Sequence, residues 1–409
     1  MSKPLGPIPH GFGERDGELA IDGHRASDLV TQAGRTPLFV YSRSLLSARM
    51  AALRAALPAR IGVNYAIKAN PHRDVITHMM PLADGFDIAS AGELRLALSL
   101  GLEPERISFA GPGKRDEELE SAIAAGVTLN CESEGEAARA LAIGQRIGAT
   151  PRIAIRVNPD FELKGSGMKM GGGAKPFGVD AERVPDLARQ ILSGGAKWRG
   201  LHIFTGSQTL SANAIVEAQA NILKLSAQLA DQIGQPVPKL NMGGGFGIPY
   251  FPKDVPLDLE AVGSALHGLI ADLPAPLAET DLCLELGRYL VGEAGVYVCR
   301  IVDRKVSHGV TYLVTDGGLH HQLAASGNFG TVVRRNYPVA IASKMGAAPD
   351  ETVNVVGCLC TPLDRLADDA ALPRAEVGDL VAVFCAGAYG ASASPSAFLG
   401  HGPAAELLV

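Results

Sequence analysis

Lys68 stands in Asn64-Tyr-Ala-Ile-Lys-Ala-Asn70, directly after an apolar run that would leave its amine in a water-poor setting. Desolvation disfavours the ammonium, and the neutral amine is a nucleophile suited to forming a Schiff base with a carbonyl. A surface lysine would read the same way if the preceding strand were placed wrongly. Gly243-Gly244-Gly245-Phe246-Gly247 offers backbone N–H groups that can converge on a phosphate without interference from Cβ atoms, although tight turns also use glycine runs. Glu285, in Glu285-Leu-Gly-Arg288, is a carboxylate placed either to hold a proton on a ring nitrogen or to pair with Arg288. Cys358-Leu-Cys360 lies in a β-like run whose alternation would put both sulfurs on one face. Two thiols are too few for a metal, and no second cysteine pair has zinc-like spacing. No metal is expected, and buried structural cysteines are the default.

These residues need a scaffold that brings them together. Short apolar stretches at 61–67, 85–89, 107–110, 128–131, 153–157, 200–204, 240–242 and 282–286 read as strands, alternate with helix-like stretches, and are bounded by Gly, Pro, Asn or Asp. That alternation predicts a (β/α)8 barrel, and Lys68, Asp87, Ser207, Gly243 and Glu285 all fall at strand ends that would form one mouth. The chain has 409 residues where a barrel needs roughly 250, so about 120 remain after Leu286. There the texture becomes β-rich at 296–302, 306–315, 353–359 and 380–385, which reads as an all-β domain. The expected division is 1–35 as an N-terminal segment packing with the β domain, 36–290 as the barrel and 291–409 as the β domain. The strand-like piece at 18–21 is expected to pair with that last domain.

Composition narrows the function classes. With 47% hydrophobic and 20% charged residues the chain can bury a sizeable core. A net charge of −6 and the absence of a long Lys/Arg run argue against nucleic acid. The N-terminal residues 1–19 are polar and proline-rich, and no stretch reaches the ~18 apolar residues of a membrane span, so a cytoplasmic protein is expected. Six scattered cysteines suit reduced thiols.

Several motifs in order are more specific than any one: Tyr65-Ala-Ile-Lys-Ala-Asn70, Phe86-Asp-Ile-Ala-Ser90, Gly200-Leu-His202 with Gly206-Ser-Gln208, Gly243 to Gly247, Glu285 to Gly295, Cys360 with Asp364, and Gly387-Ala-Tyr-Gly390. From about Pro37 to its end the chain resembles the fold-type III pyridoxal-phosphate decarboxylases, the group that contains diaminopimelate and ornithine decarboxylases. The resemblance implies the barrel-plus-β architecture shared by alanine racemase and these enzymes, and pyridoxal 5′-phosphate as cofactor. Carried over by position, it implies that Lys68 forms the Schiff base and that Glu285 partners the pyridine nitrogen. Gly243, Gly244, Gly245, Ser207 and Tyr389 would hold the phosphate, with Asp87, Phe204, Gly287 and Arg288 completing the cofactor site. Arg288, Thr361, Asp364 and Tyr389 would meet the substrate, and Cys360, contributed by the other subunit of a homodimer, would return a proton to Cα. A racemase would share Lys68 and the phosphate cradle but would want a second acid/base tyrosine. A non-catalytic homologue acting as a regulator would be expected to lack Lys68 or Cys360, and both are present.

The departures from the family pattern concern the substrate. Phe204 stands where the family has a histidine stacking on the cofactor ring, keeping an aromatic face without the charge. Thr361 follows Cys360 where diaminopimelate decarboxylases have a glutamate for the distal ammonium. Residues 320–330 replace their Arg-Pro-x-x-Tyr segment for the distal carboxylate. Each lost charged hydrogen bond is worth roughly 1.5–3 kcal/mol, which argues against free diaminopimelate. Residues 163–179 hold six glycines, three lysines (Lys164, Lys169, Lys175) and no acid. They resemble a segment of decarboxylases that act on an aminoacyl group tethered to an acyl-carrier protein. Such a basic rim suits an acidic carrier, and a solvated lid loop would look alike.

Overall fold

The computed structural model describes residues 2–327 and 334–409. Asn328, Phe329 and Gly330, the end of the 320–330 stretch, lie outside the described residues, as does the side chain of Lys169. Two compact units form: Met50–Gly247 with Leu257–Gly287, and residues 2–49 with Ile248–Pro256 and Arg288–Val409.

The first unit is the expected barrel. Its strands are β1 (Ile61–Ala66), β2 (Gly85–Ile88), β3 (Ile107–Phe109), β4 (Thr128–Cys131), β5 (Arg152–Asn158), β6 (Lys197–Ile203), β7 (Lys239–Asn241) and β8 (Asp281–Leu286). Each pairs in parallel with the next, β8 pairs with β1, and the ring closes. The strands are nearly continuous runs of buried residues because helices cover the outside while side chains fill the inside. Strand ends turn into helices through local caps. Ser90 Oγ accepts the Glu93 N–H at 3.2 Å while the Glu93 carboxylate accepts the Ala89 N–H at 2.6 Å. Ser133 and Glu136 do the same after β4, with Glu136 accepting the Glu132 N–H. The 163–179 stretch is more tied down than a free lid. Leu163 packs on Ala214 and Ala218, Met168–Lys169 pairs antiparallel with Gly206–Ser207, and Val179–Asp180 adds in parallel to β5.

The second unit is built on the long strand Gly295–Ser307. It turns at His308 and Gly309, both left-handed, into Val310–Thr315. Glu351–Val356 and Arg365–Leu372 extend that edge, and Leu380–Val383 with Val339–Ile341 extends the other. Three expectations are corrected here. The Glu18–Ile21 strand does not pair with this sheet; it lies in its own three-stranded sheet, with Leu19 and Ile21 contributing to the core against Val296 and Val298. The strand that does pair is Leu38–Tyr41, antiparallel to Gly295–Ser307, with Ala405–Leu408 parallel on its other side. The boundary expected at residue 36 therefore falls later, because 38–41 are hydrogen-bonded into the β unit. Residues 357–361 form a turn rather than a continued strand, so Cys358 is half-buried while Cys360 is exposed, and alternation does not align their sulfurs.

All six cysteines are free. Among the described residues no helix is long and apolar enough to cross a membrane.

Candidate active site

β1 ends at Ala66, and Lys68 occupies a single 3-10 turn (Ile67–Ala69) at the barrel mouth. Its side chain is 42% exposed, so it is not the desolvated amine that the preceding apolar run suggested; a neighbour rather than burial sets its surroundings. Lys68 Nζ lies 3.5 Å from Glu285 Oε1 and 5.8 Å from the centre of the Phe204 ring. β8 delivers Glu285, which pairs in register with Asn64, and Gly287 lets the two strand ends approach: a Cβ there would sit 2.8 Å from Ala69 Cβ. Glu285 Oε2 meets His202 Nε2 at 3.0 Å, and both side chains are buried. Burial alone would raise the Glu285 pKa, yet the Lys68 ammonium and then the His202 hydrogen bond hold it down, at about 2. His202 is itself pushed below its ordinary value by burial, which its bond to Glu285 only partly offsets. The partners of Glu285 are thus Lys68 and His202, a triad of which His202 was not singled out in the sequence. The signal available was a histidine inside the apolar run of β6.

Asp87, on β2, is buried and accepts a hydrogen bond from Ser108 Oγ, while its second oxygen lies near Asn64 but has no partner in hydrogen-bond geometry among the described residues. Burial first, then the charge of Glu285, pushes its pKa up to about 7. A third buried carboxylate, Glu132 at the end of β4, accepts Arg156 Nη1 at 2.9 Å and the N–H groups of Gly111 and Gly178. It braces the mouth and was likewise unassigned from sequence.

The glycine run after β7 is tightly held. Gly243 (φ 64°) and Gly245 (φ 88°) are left-handed. A Cβ on Gly243 would lie 2.6 Å from Ile203 O, and one on Gly244 would lie 2.2 Å from Glu285 O. The Gly243 N–H is already used, donating to Asn241 Oδ1 at 2.9 Å. Ser207 is half-buried in the short strand paired with Met168–Lys169.

In the β unit, Arg288 Nη1 donates to Tyr250 Oη at 2.7 Å and its guanidinium sits 4.8 Å from the Tyr389 ring centre. Tyr389 is held at φ 58° between Gly387 and Gly390, where added Cβ atoms would meet Val291 O and Phe39. In the 357–361 turn Cys360 is exposed and Thr361 half-buried. Asp364 is buried, and its two oxygens accept the N–H groups of Leu319 (2.7 Å) and Leu359 (2.9 Å), so it orders this turn instead of presenting a free carboxylate.

Residues 43–292 match the family described as "Pyridoxal-dependent decarboxylase, pyridoxal binding domain". The chain belongs to this family. Along its length the decarboxylase is 34% identical, over 93% of this chain and 90% of the relative, to the L-glutamyl-[BtrI acyl-carrier protein] decarboxylase of Niallia circulans. It is 33% identical to the diaminopimelate decarboxylase of Archaeoglobus fulgidus, covering 97% and 93% of the two chains. The solved diaminopimelate decarboxylase of M. jannaschii in complex with L-lysine superposes with a TM-score of 0.88 at 25% identity, covering 98% of this chain and 93% of that one. The decarboxylase therefore uses pyridoxal phosphate and acts on an amino acid. The barrel mouth fits that cofactor: it offers an amine, an ionised carboxylate, an aromatic face, and a glycine run with no room for side chains.

Proposed function

We propose that this decarboxylase removes the α-carboxylate of an acidic amino acid whose side-chain carboxyl is held as a thioester on an acyl-carrier protein. The observation that carries the substrate reading is Thr361 beside Cys360: a hydroxyl stands where a distal ammonium would need a carboxylate. A thioester-linked side chain has no distal charge, so a site lacking that carboxylate, and lacking an arginine in 320–330, forfeits nothing by holding it. The Niallia circulans relative, named for a carrier-bound glutamyl group, supports the same reading. So do Lys164 and Lys175 on the 163–179 stretch, although Lys164 is partly spoken for by Glu217 at 2.6 Å.

In this reading Lys68 Nζ would hold the cofactor through its aldehyde group, the aldehyde oxygen leaving as water. Glu285, kept ionised by Lys68 and oriented by His202, would hold a proton on the ring nitrogen. Phe204 would cover one face of the ring, and Ser207, Tyr389 and the amides of Gly244 and Gly245 would take the phosphate, with Arg288 at phosphate or substrate. Bound there, pyridoxal phosphate supplies the electron sink into which the Cα–carboxylate bond breaks. Cys360 of a partner subunit returns a proton to Cα, Thr361 lines the substrate path, and Asp364 positions their turn. The protein is accordingly read as a cytoplasmic homodimer with shared sites.

The test is CO2 release from glutamate and aspartate, each free and as the side-chain pantetheine thioester, and from free meso-diaminopimelate. Turnover confined to a thioester is expected. Efficient release from free diaminopimelate would overturn the substrate reading and leave the reaction intact. Lys68→Ala should lose the visible absorbance of the bound cofactor, and an unchanged spectrum would remove Lys68 from its role.

A further inference from the structure

Within the β unit, three donor side chains converge. The ligand atoms of His320, Cys358 and His401 all lie within 4.8 Å of one another. His320 is 0% exposed, and among the described residues neither of its ring nitrogens has a hydrogen-bond partner. A buried imidazole with two unsatisfied nitrogens is unfavourable unless something outside the chain engages one of them. The adjacent His321 shows the contrast. Its Nε2 donates to Gly402 O at 2.9 Å, so its Nδ1 accepts from Tyr297 Oη at 3.0 Å, and both nitrogens are used.

The three segments are also fixed from one residue away. Asp364 accepts the N–H of Leu319, next to His320, and the N–H of Leu359, next to Cys358. His321 holds Gly402, next to His401. Gly318 and Gly357 pack so closely on Asp364 that a Cβ on either would lie about 2 Å from its carboxylate. Outer-shell bonds of this kind orient ligands before an ion arrives.

We propose that His320, Cys358 and His401 form a zinc site, with the fourth tetrahedral position open to water or to a group supplied from outside the chain. One thiolate and two imidazoles suit a borderline ion such as Zn2+ and are a poor set for Mg2+ or Ca2+, which take oxygen ligands. On binding, the Cys358 S–H bond breaks, an S–Zn bond forms, and the proton passes to buffer with no change of oxidation state. His401 is exposed and gives the ion a route from solvent. No spacing motif announced this set, because its members are distant in sequence and only the fold joins them.

The experiment uses tag-free, cofactor-loaded protein stripped of metal with a chelator, then titrated with Zn2+ and, in parallel, with Co2+. About one ion per chain is expected, with a thiolate-to-cobalt charge-transfer band. Losing one outer-shell partner already weakens metal sites roughly tenfold or more, so His401→Ala, at an exposed position with little bearing on folding, should weaken zinc by at least about tenfold. Cys358→Ser should abolish the band, whereas Cys360→Ser should keep it. Failure to bind zinc stoichiometrically, equal binding by wild type and His401→Ala, or a band that follows Cys360 instead of Cys358 would each overturn the site.

Discussion

Burial raises both Glu285 and Asp87, two buried carboxylates of the barrel, but only at Glu285 do the neighbours, Lys68 and then His202, outweigh it; at Asp87 the charge of Glu285 adds to burial. Glu285 is drawn down to about 2 from an ordinary 4.5, so the folded state gains from its charge in full above about 4.5 and loses that gain as pH falls toward 2. Asp87 runs the other way. Raised to about 7 from 3.8, its contribution is intact below 3.8 and drains away as pH rises through 7. Asp87→Asn keeps an acceptor for Ser108 and removes the ionisation, so its urea midpoint should gain on wild type between pH about 4 and about 8. A parallel pair of profiles would show that Asp87 is not protonated at neutral pH. His202 is the other decisive residue here. His202→Ala leaves a buried oxygen of Glu285 short of a donor and should cost about 1–3 kcal/mol in urea unfolding, with His202→Gln recovering part of it. Equal losses in both variants would mean that packing, not the hydrogen bond, is what His202 supplies.

At the scale of the element, the glycine run works because β6, β7 and β8 approach too closely for side chains. Gly244→Ala would place a methyl 2.2 Å from Glu285 O and 2.7 Å from Leu286 Cδ2, and should lower stability by about 1–3 kcal/mol while weakening pyridoxal phosphate, both readable by titration and urea unfolding. The 163–179 stretch poses a different question, since its backbone is strand-paired in the middle and at its C-terminal end while Lys164 is exposed beside Glu217. Changing Lys164, Lys169 and Lys175 to Glu should raise KM for a carrier-bound substrate about tenfold and leave a pantetheine thioester unaffected; equal effects on both would sink the docking role. The barrel strands were legible in the sequence because each is a short apolar run closed by turn residues, and only their ends differ by a few positions. Leu38–Tyr41 was not, because four buried residues carry no mark of a partner as remote as Gly295–Ser307. Lys68 and Glu285 were found through their surroundings. His202, seen only as part of the Gly200-Leu-His202 motif, and Glu132 and Arg156 were given no role, because polar residues at apolar strands announce burial but not what they meet there.

For the whole molecule, the open matter is which chain completes each site. If Cys360 serves the cofactor held by Lys68 of a partner subunit, the two roles can be separated genetically. Lys68→Ala should leave a chain without a working cofactor amine but with an intact Cys360, and Cys360→Ala the reverse; each homodimer would be nearly inactive in forming product. Unfolding and refolding the two together at equal concentration makes half the dimers mixed, and each mixed dimer holds one site built from both intact residues. Product formation should therefore recover to about a quarter of wild type, with the level falling predictably when either variant is in excess. Sites completed within one chain would give no recovery at any ratio, since no chain in the mixture carries both residues. Sedimentation of each variant as a dimer before mixing is the necessary companion measurement, because a monomer would remove the shared site altogether.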